Sequence, residues 1–159
     1  QQTFAINSLD ELLNGLDNQC EYSEDLMRFQ RALIVEDNDS YRVDKRGAKN
    51  ALSPKLVESV DQIRVIDEND EALNISVSLQ GAWHGYEVRE LQFLLGKGNG
   101  INAISVEFSP PFDPVLKFFG PRIEKSKQNI SKSNLDYMEI VTDLNLVDGN
   151  VRLYCNVSI

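Results

Sequence analysis

The residues able to do chemistry in this chain are few, and their spacing assembles no reacting set. There is one histidine, His84, and there are two cysteines, Cys20 and Cys155, near opposite ends. A nucleophile needs a base within hydrogen-bond reach and a further group to orient that base. No Gly-x-Ser-x-Gly turn is present to carry a serine nucleophile. A zinc site built on one histidine and two cysteines would need carboxylates that no local spacing supplies. Asp37, Asn38, Asp39 and Asp44 raise a calcium reading. Their spacing does not match an EF-hand loop, and no glutamate follows at the bidentate position. Gly96, Gly98 and Gly100 alternate, yet they lack the spacing of a phosphate-binding turn and precede a strand pattern rather than a helix. Glu87 and Glu90 flank an aromatic segment and are the carboxylates to consider for acid–base work. Their separation is a tertiary property. These residues point to no catalytic set, no cofactor and no metal.

The cysteines carry more information. The chain opens Gln1-Gln2-Thr3, without an initiator methionine. Together with the cysteine pair this leads to the expectation of a secreted or periplasmic protein, mature after signal-peptide removal, closed by a Cys20–Cys155 disulfide. The alternative is a pair of buried free thiols. No apolar run approaches the ~20 residues of a membrane-spanning helix.

The formal net charge is −9. Lys45-Arg46 and Lys125-Ser126-Lys127 are short and lie near carboxylates, so the basic face of a nucleic-acid-binding protein is missing. An acidic surface suits a basic protein partner, or simple solubility. The segment from Gly81 to Tyr86 holds the single tryptophan and the single histidine between strand patterns. Trp83, His84, Tyr86 and Glu87 are therefore the candidate interaction residues, because aromatic side chains on a loop anchor interfaces. The competing reading makes Trp83 and Tyr86 plugs of the core across a bulged strand. Glycosylation sequons begin at Asn38, Asn74, Asn129 and Asn156, with chance in an Asn- and Ser-rich chain as the alternative.

The elements that must position these residues follow from periodicity. Ser8 and Glu11 form a capping-box pattern ahead of Leu9, Leu12, Leu13 and Leu16, which predicts a first helix weakened by Gly15. A second helix is expected from Ser23 to about Val35. Glu36 to Asn50 reads as an exposed loop, and Ser53-Pro54 as a short helical turn. Period two then predicts strands around Ile63–Val65, Leu73–Leu79, Val88–Leu95 and Ile104–Phe108, with an interruption at Gly81–Gly85. After Pro110-Pro111 a short helix is expected over Val115–Phe119, with Asp113 as N-cap and Gly120-Pro121 as its end. A strand is expected at Arg122–Lys125, followed by a mobile polar run from Gln128 to Asn134. Met138, Ile140, Thr142, Leu144 and Leu146 should point inward. They lead through the turn Asp148-Gly149 to Val151, Leu153, Cys155, Val157 and Ile159.

The pattern predicts an α+β fold, with N-terminal helices packed on a mainly antiparallel sheet. One compact domain over 1–159 is expected. The order of elements also reads as helix-then-strands modules, 1–109 and 110–159, sharing one sheet. The leading functional expectation is an exported, non-enzymatic binding protein, of inhibitor or immunity type, engaging another and basic protein. The alternatives are a small-ligand-binding domain, a carboxylate-dependent hydrolase, and a structural component of a cell envelope.

Overall fold

The computed structural model describes residues 7–38, 40–133 and 138–158. Gln1, Gln2, Thr3, Asp39, Asn134 and Ile159 lie outside the described residues. The architecture is α+β: helices, a six-stranded antiparallel sheet and a separate two-stranded hairpin.

Helix α1 (Asp10–Leu13) is a single turn, shorter than the apolar spacing implies. The capping box does not form. Leu9 takes the N-cap position, and Ser8 Oγ accepts from the Asp10 N–H. Gly15, at φ +109, then turns the chain so tightly that a Cβ would stand 2.6 Å from the Glu21 carbonyl oxygen. Leu9, Leu12, Leu13 and Leu16 are all buried nonetheless. Helix α2 (Glu24–Leu33) starts where the sequence places it, with Ser23 Oγ accepting from the Leu26 N–H at 3.0 Å. Leu26, Phe29 and Leu33 form its buried face.

The stretch expected as a loop is ordered instead. It holds a hairpin of β1 (Ile34–Asp37) and β2 (Ser40–Val43), then helix α3 (Lys45–Asn50). Of the described hairpin residues only Ile34 is buried, so no alternation marks it in the sequence. Asp44 is the N-cap of α3, accepting from the Gly47 N–H, rather than a cation ligand. Helix α4 (Pro54–Val57) is capped by Ser53 as expected.

The main sheet contains β3 (Val60–Glu68), β4 (Ala72–Trp83), β5 (Tyr86–Gly96), β6 (Asn102–Phe108), β7 (Glu139–Val147) and β8 (Asn150–Ser158), in the order β3-β4-β5-β6-β8-β7. Ile75, Phe93, Ile104, Cys155 and Thr142 share one row, and Val77, Leu91, Val106, Leu153 and Leu144 the next. These rows pack with the apolar residues of α1, α2 and helix α5 (Phe112–Ser133) in one core. Gly81 does not interrupt β4, which runs on to Trp83. A Cβ there would stand 2.7 Å from Leu9 Cγ and 2.8 Å from the Asn7 oxygen. Glycine lets residues 7–9 lie against the strand, with Leu9 N–H donating to the Ala82 oxygen and Ala82 N–H to the Asn7 oxygen.

Helix α5 is the largest departure from expectation. It spans 22 residues, passing through Gly120-Pro121 and replacing the expected strand at Arg122–Lys125. Its described part continues through the polar run to Ser133. A proline inside a helix removes one hydrogen bond and crowds the preceding turn. Here the buried stripe Val115, Phe119, Ile123 and Ser126 continues across it at helical spacing, and that packing outweighs the local loss. Asp113 lies in the first turn rather than at the N-cap.

The turn Asp148-Gly149 joins β7 to β8, both residues having positive φ as a two-residue hairpin requires. Leu146 is 70% exposed, contrary to its expected inward place, because β7 is an edge strand. Strand β6 separates β8 from the rest of the sheet, so residues on both sides of position 109 build one sheet. Amide exchange should therefore be slowest in β5, β6 and β8 and faster along β7. Equal protection of β7 and β8 would contradict that ordering.

Candidate functional site

Trp83 and Tyr86 close β4 onto β5, with His84 and Gly85 as the turn, both at positive φ. Trp83 is 0% exposed. Its ring stacks on Phe108 at 6.2 Å and leans on Phe119 at 4.8 Å, and its indole N–H donates to Asn14 Oδ1 at 3.0 Å. It thus takes the place of a core plug. His84 is tied down at both ends. Its backbone N–H donates to Asp10 Oδ1 at 2.8 Å, and its Nε2 meets Asp17 Oδ2 at 3.2 Å. Asp17, 8% exposed, also accepts from Arg122 Nη1 at 3.0 Å, while the guanidinium lies over the Phe118 ring. Tyr86 is half-buried against Phe118, and of the candidate interaction residues Glu87 is the exposed one. This network fixes the turn to α1 and α5.

Cys20 and Cys155 are bonded, with Cα atoms 5.7 Å apart across a sequence separation of 135. The bond fastens the turn after α1 to β8, and it suits an oxidising, extracytoplasmic compartment. Among the described residues no helix is long and apolar enough to cross a membrane. No group of three potential metal ligands forms among them either.

The opposite face of the sheet is where polar side chains converge. Period two sends Ser76, Gln92, Ser105 and Tyr154 outward in one row, and Ser78, Glu90, Glu107 and Arg152 in the next. Asn74 on β4 and Asn145 on β7 are separated by successive strand spacings that would put them roughly 19 Å apart on a flat sheet. They nevertheless line the same cavity of about 190 Å³, so the face is concave. Gln92, Leu94, Arg152 and Tyr154 contribute to its walls.

The groove's charges are mutually satisfied. Arg152 reaches Glu107 Oε1 through Nε at 3.0 Å and Nη2 at 2.9 Å, and it stands 4.0 Å from Glu90 Oε1. Arg89 Nε lies 3.5 Å from the other Glu107 oxygen. Glu90 also accepts from the Gln92 side-chain amide. Of the carboxylates considered for acid–base work, Glu90 belongs to this network, whereas Glu87 is exposed beside the β4–β5 turn. Beside the paired charges lie polar atoms that nothing among the described residues answers. Asn74 Oδ1, Ser76 Oγ and Asn156 Oδ1 are buried without a hydrogen-bond partner.

The sequence candidates do not include this groove. The trace it leaves is weak: Asn, Ser, Gln and Glu alternating with apolar residues also describes an ordinary wet face. The sequons divide by position. Asn74 and Asn156 are strand residues with buried amide oxygens, whereas Asn38 is exposed at the β1–β2 turn and Asn129 is half-buried on α5. No family model matches the chain, no curated protein matches it, and no solved structure matches it.

Proposed function

We propose that this chain is an exported, non-enzymatic binding protein, secreted or periplasmic, that receives a segment of a partner protein in the concave face of its sheet. One observation carries the reading. Asn74 lines an open groove, and its Oδ1, like Ser76 Oγ next to it on that face, is buried with no hydrogen-bond partner among the described residues. Buried polar atoms nearly always find a partner, and each one that does not is costly. A donor from a bound chain supplies the missing bond. The cavity of about 190 Å³ is below the ~300 Å³ of a drug-sized pocket and close to the space of one inserted side chain. The net charge of −9 favours encounter with a basic partner. An inhibitor or immunity protein is the class that such a domain would belong to. The carboxylates of the groove are held by arginines, which supports binding over acid–base catalysis.

The test separates the groove from the β4–β5 hairpin. Ser105→Trp fills the groove from β6, and Glu87→Arg reverses the exposed charge beside the hairpin. The immobilised wild-type protein captures its partner from an extracytoplasmic extract. Ser105→Trp should weaken capture at least tenfold with the disulfide and circular dichroism unchanged, and Glu87→Arg should retain it. The opposite pattern would overturn the groove reading and move the site to the hairpin.

A further inference from the structure

A second cavity, of about 370 Å³, lies between α2, the start of β6 and the end of β8. Met27, Gln30 and Arg31 reach it from one side of α2, as their helical spacing requires, and Tyr22 reaches it from the segment before that helix. Asn102 and Val157 complete the far wall beside the Cys20 end of the disulfide. Its volume falls within the range of small-molecule sites, unlike the groove on the sheet.

The side chains around it are unusual for this protein. The chain is strongly acidic, yet among the described residues no carboxylate lines the cavity. Arg31 has no ion-pair partner among the described residues, whereas Arg28, one turn away, is paired with Asp25. Gln30 donates its amide to Asn102 Oδ1 at 3.3 Å, which fixes that side of the wall. Tyr22 carries the decisive atom: its hydroxyl is buried and has no hydrogen-bond partner among the described residues. Burial pushes the phenol well above its ordinary pKa, so it remains a protonated donor throughout the physiological range. Met27 is exposed at the rim, with Val157 as the other apolar side chain.

We infer that this cavity binds a small carboxylic acid with an apolar tail. The carboxylate accepts from the Tyr22 hydroxyl and pairs with the Arg31 guanidinium. The tail lies against Met27 and Val157. An anion answers the buried hydroxyl and pairs with the exposed Arg31 guanidinium at once, where a neutral molecule answers only the hydroxyl and a cation is repelled by the arginine. The flexible methionine accepts tails of different shape. This site is independent of the sheet groove and stands whether or not a partner binds there.

Hexanoate is the probe, with hexanamide and hexylammonium as the uncharged and cationic counterparts of similar length. Titration of the disulfide-bonded protein, followed by amide chemical shifts, should give saturable binding of hexanoate. The shifts should centre on Met27, Gln30 and Asn102. Hexanamide and hexylammonium should bind at least tenfold more weakly. Arg31→Gln should weaken hexanoate at least tenfold. Tyr22→Phe should weaken it about fivefold to tenfold while leaving the melting temperature unchanged or raised, because it removes a buried hydroxyl that has no partner. Ser105→Trp should leave hexanoate binding intact, so failure of the groove reading and failure of this one are distinguishable. Equal affinity for hexanamide, an unaffected Tyr22→Phe variant, or no saturable binding of hexanoate would each overturn the inference.

Discussion

Replacing Cys20 by Ser and Cys155 by Ala together should lower the unfolding free energy by about 5 kcal/mol, the largest change expected from removing any single feature of this fold. The bond joins residues separated by 135 positions, so its loss returns nearly the whole chain to the unfolded ensemble without a constraint. In the chain-entropy model a loop of that length contributes close to 5 kcal/mol at room temperature. Domains of this kind are stable by only about 5–15 kcal/mol, so the variant would sit near the edge of folding. The corresponding fall in melting temperature is about 10–20 °C. Packing adds to the effect, because Cys20 and Cys155 are both buried and Cys155 faces the Leu16 carbonyl from the middle of the sheet. Urea unfolding of both proteins under oxidising conditions measures the difference. A loss below about 1 kcal/mol would show that the bond only decorates a fold held by its core.

Trp83→Ala should cost about 3–5 kcal/mol of stability. The indole is fully buried, and it is the centre on which Phe108, Phe119 and the His84 ring converge. Truncation leaves a cavity beneath the β4–β5 hairpin that rigid neighbours on β6 and α5 cannot close. It also removes the donor to Asn14 Oδ1, a smaller loss because Asn14 is exposed and water can answer its oxygen. Trp83→Phe retains most of the contact area and should cost less, which separates packing from the hydrogen bond. The chain has a single tryptophan, so the wild-type emission reports this site alone. It should be blue-shifted and resistant to aqueous quenchers in the folded state. Emission like that of free tryptophan, or a Trp83→Ala variant melting with the wild type, would remove Trp83 from the core. The partner-binding reading loses nothing by this burial, since the proposed groove lies on the other face of the sheet.

Much of the architecture is legible in the residue order because local interactions decide it. Ser23 and Ser53 start their helices by accepting from backbone N–H groups only three residues away. Asp148-Gly149 needs no distant contact to favour a two-residue turn. The alternation in β4, β5, β6 and β8 follows from one face meeting a core, whichever helix supplies that core. An α+β fold and a pairing of the two cysteines follow at the same level.

The remaining features depend on which surface meets which. Helix α5 passes through Pro121 because Phe119 and Ile123 on either side of it pack into the same core, a gain no local propensity contains. The β1–β2 hairpin has little buried face, so backbone pairing and the partial packing of Tyr41 and Val43 on the core define it. Leu146 alternates like its neighbours yet stands in solvent, because strand order puts β7 at the edge. Trp83 has one sequence context and could belong to a loop or to the core. The arrival of Phe108 and Phe119 from other elements decides for the core. The polar rows of the outer face read as ordinary solvated residues until sheet curvature gathers Asn74, Gln92 and Arg152 around one cavity. Curvature, strand order and the approach of distant elements are sums over many non-local contacts. By itself, the residue order determined the elements with local caps and turns and the faces they bury; the tertiary structure decided where those faces leave a cavity open and a polar atom unanswered.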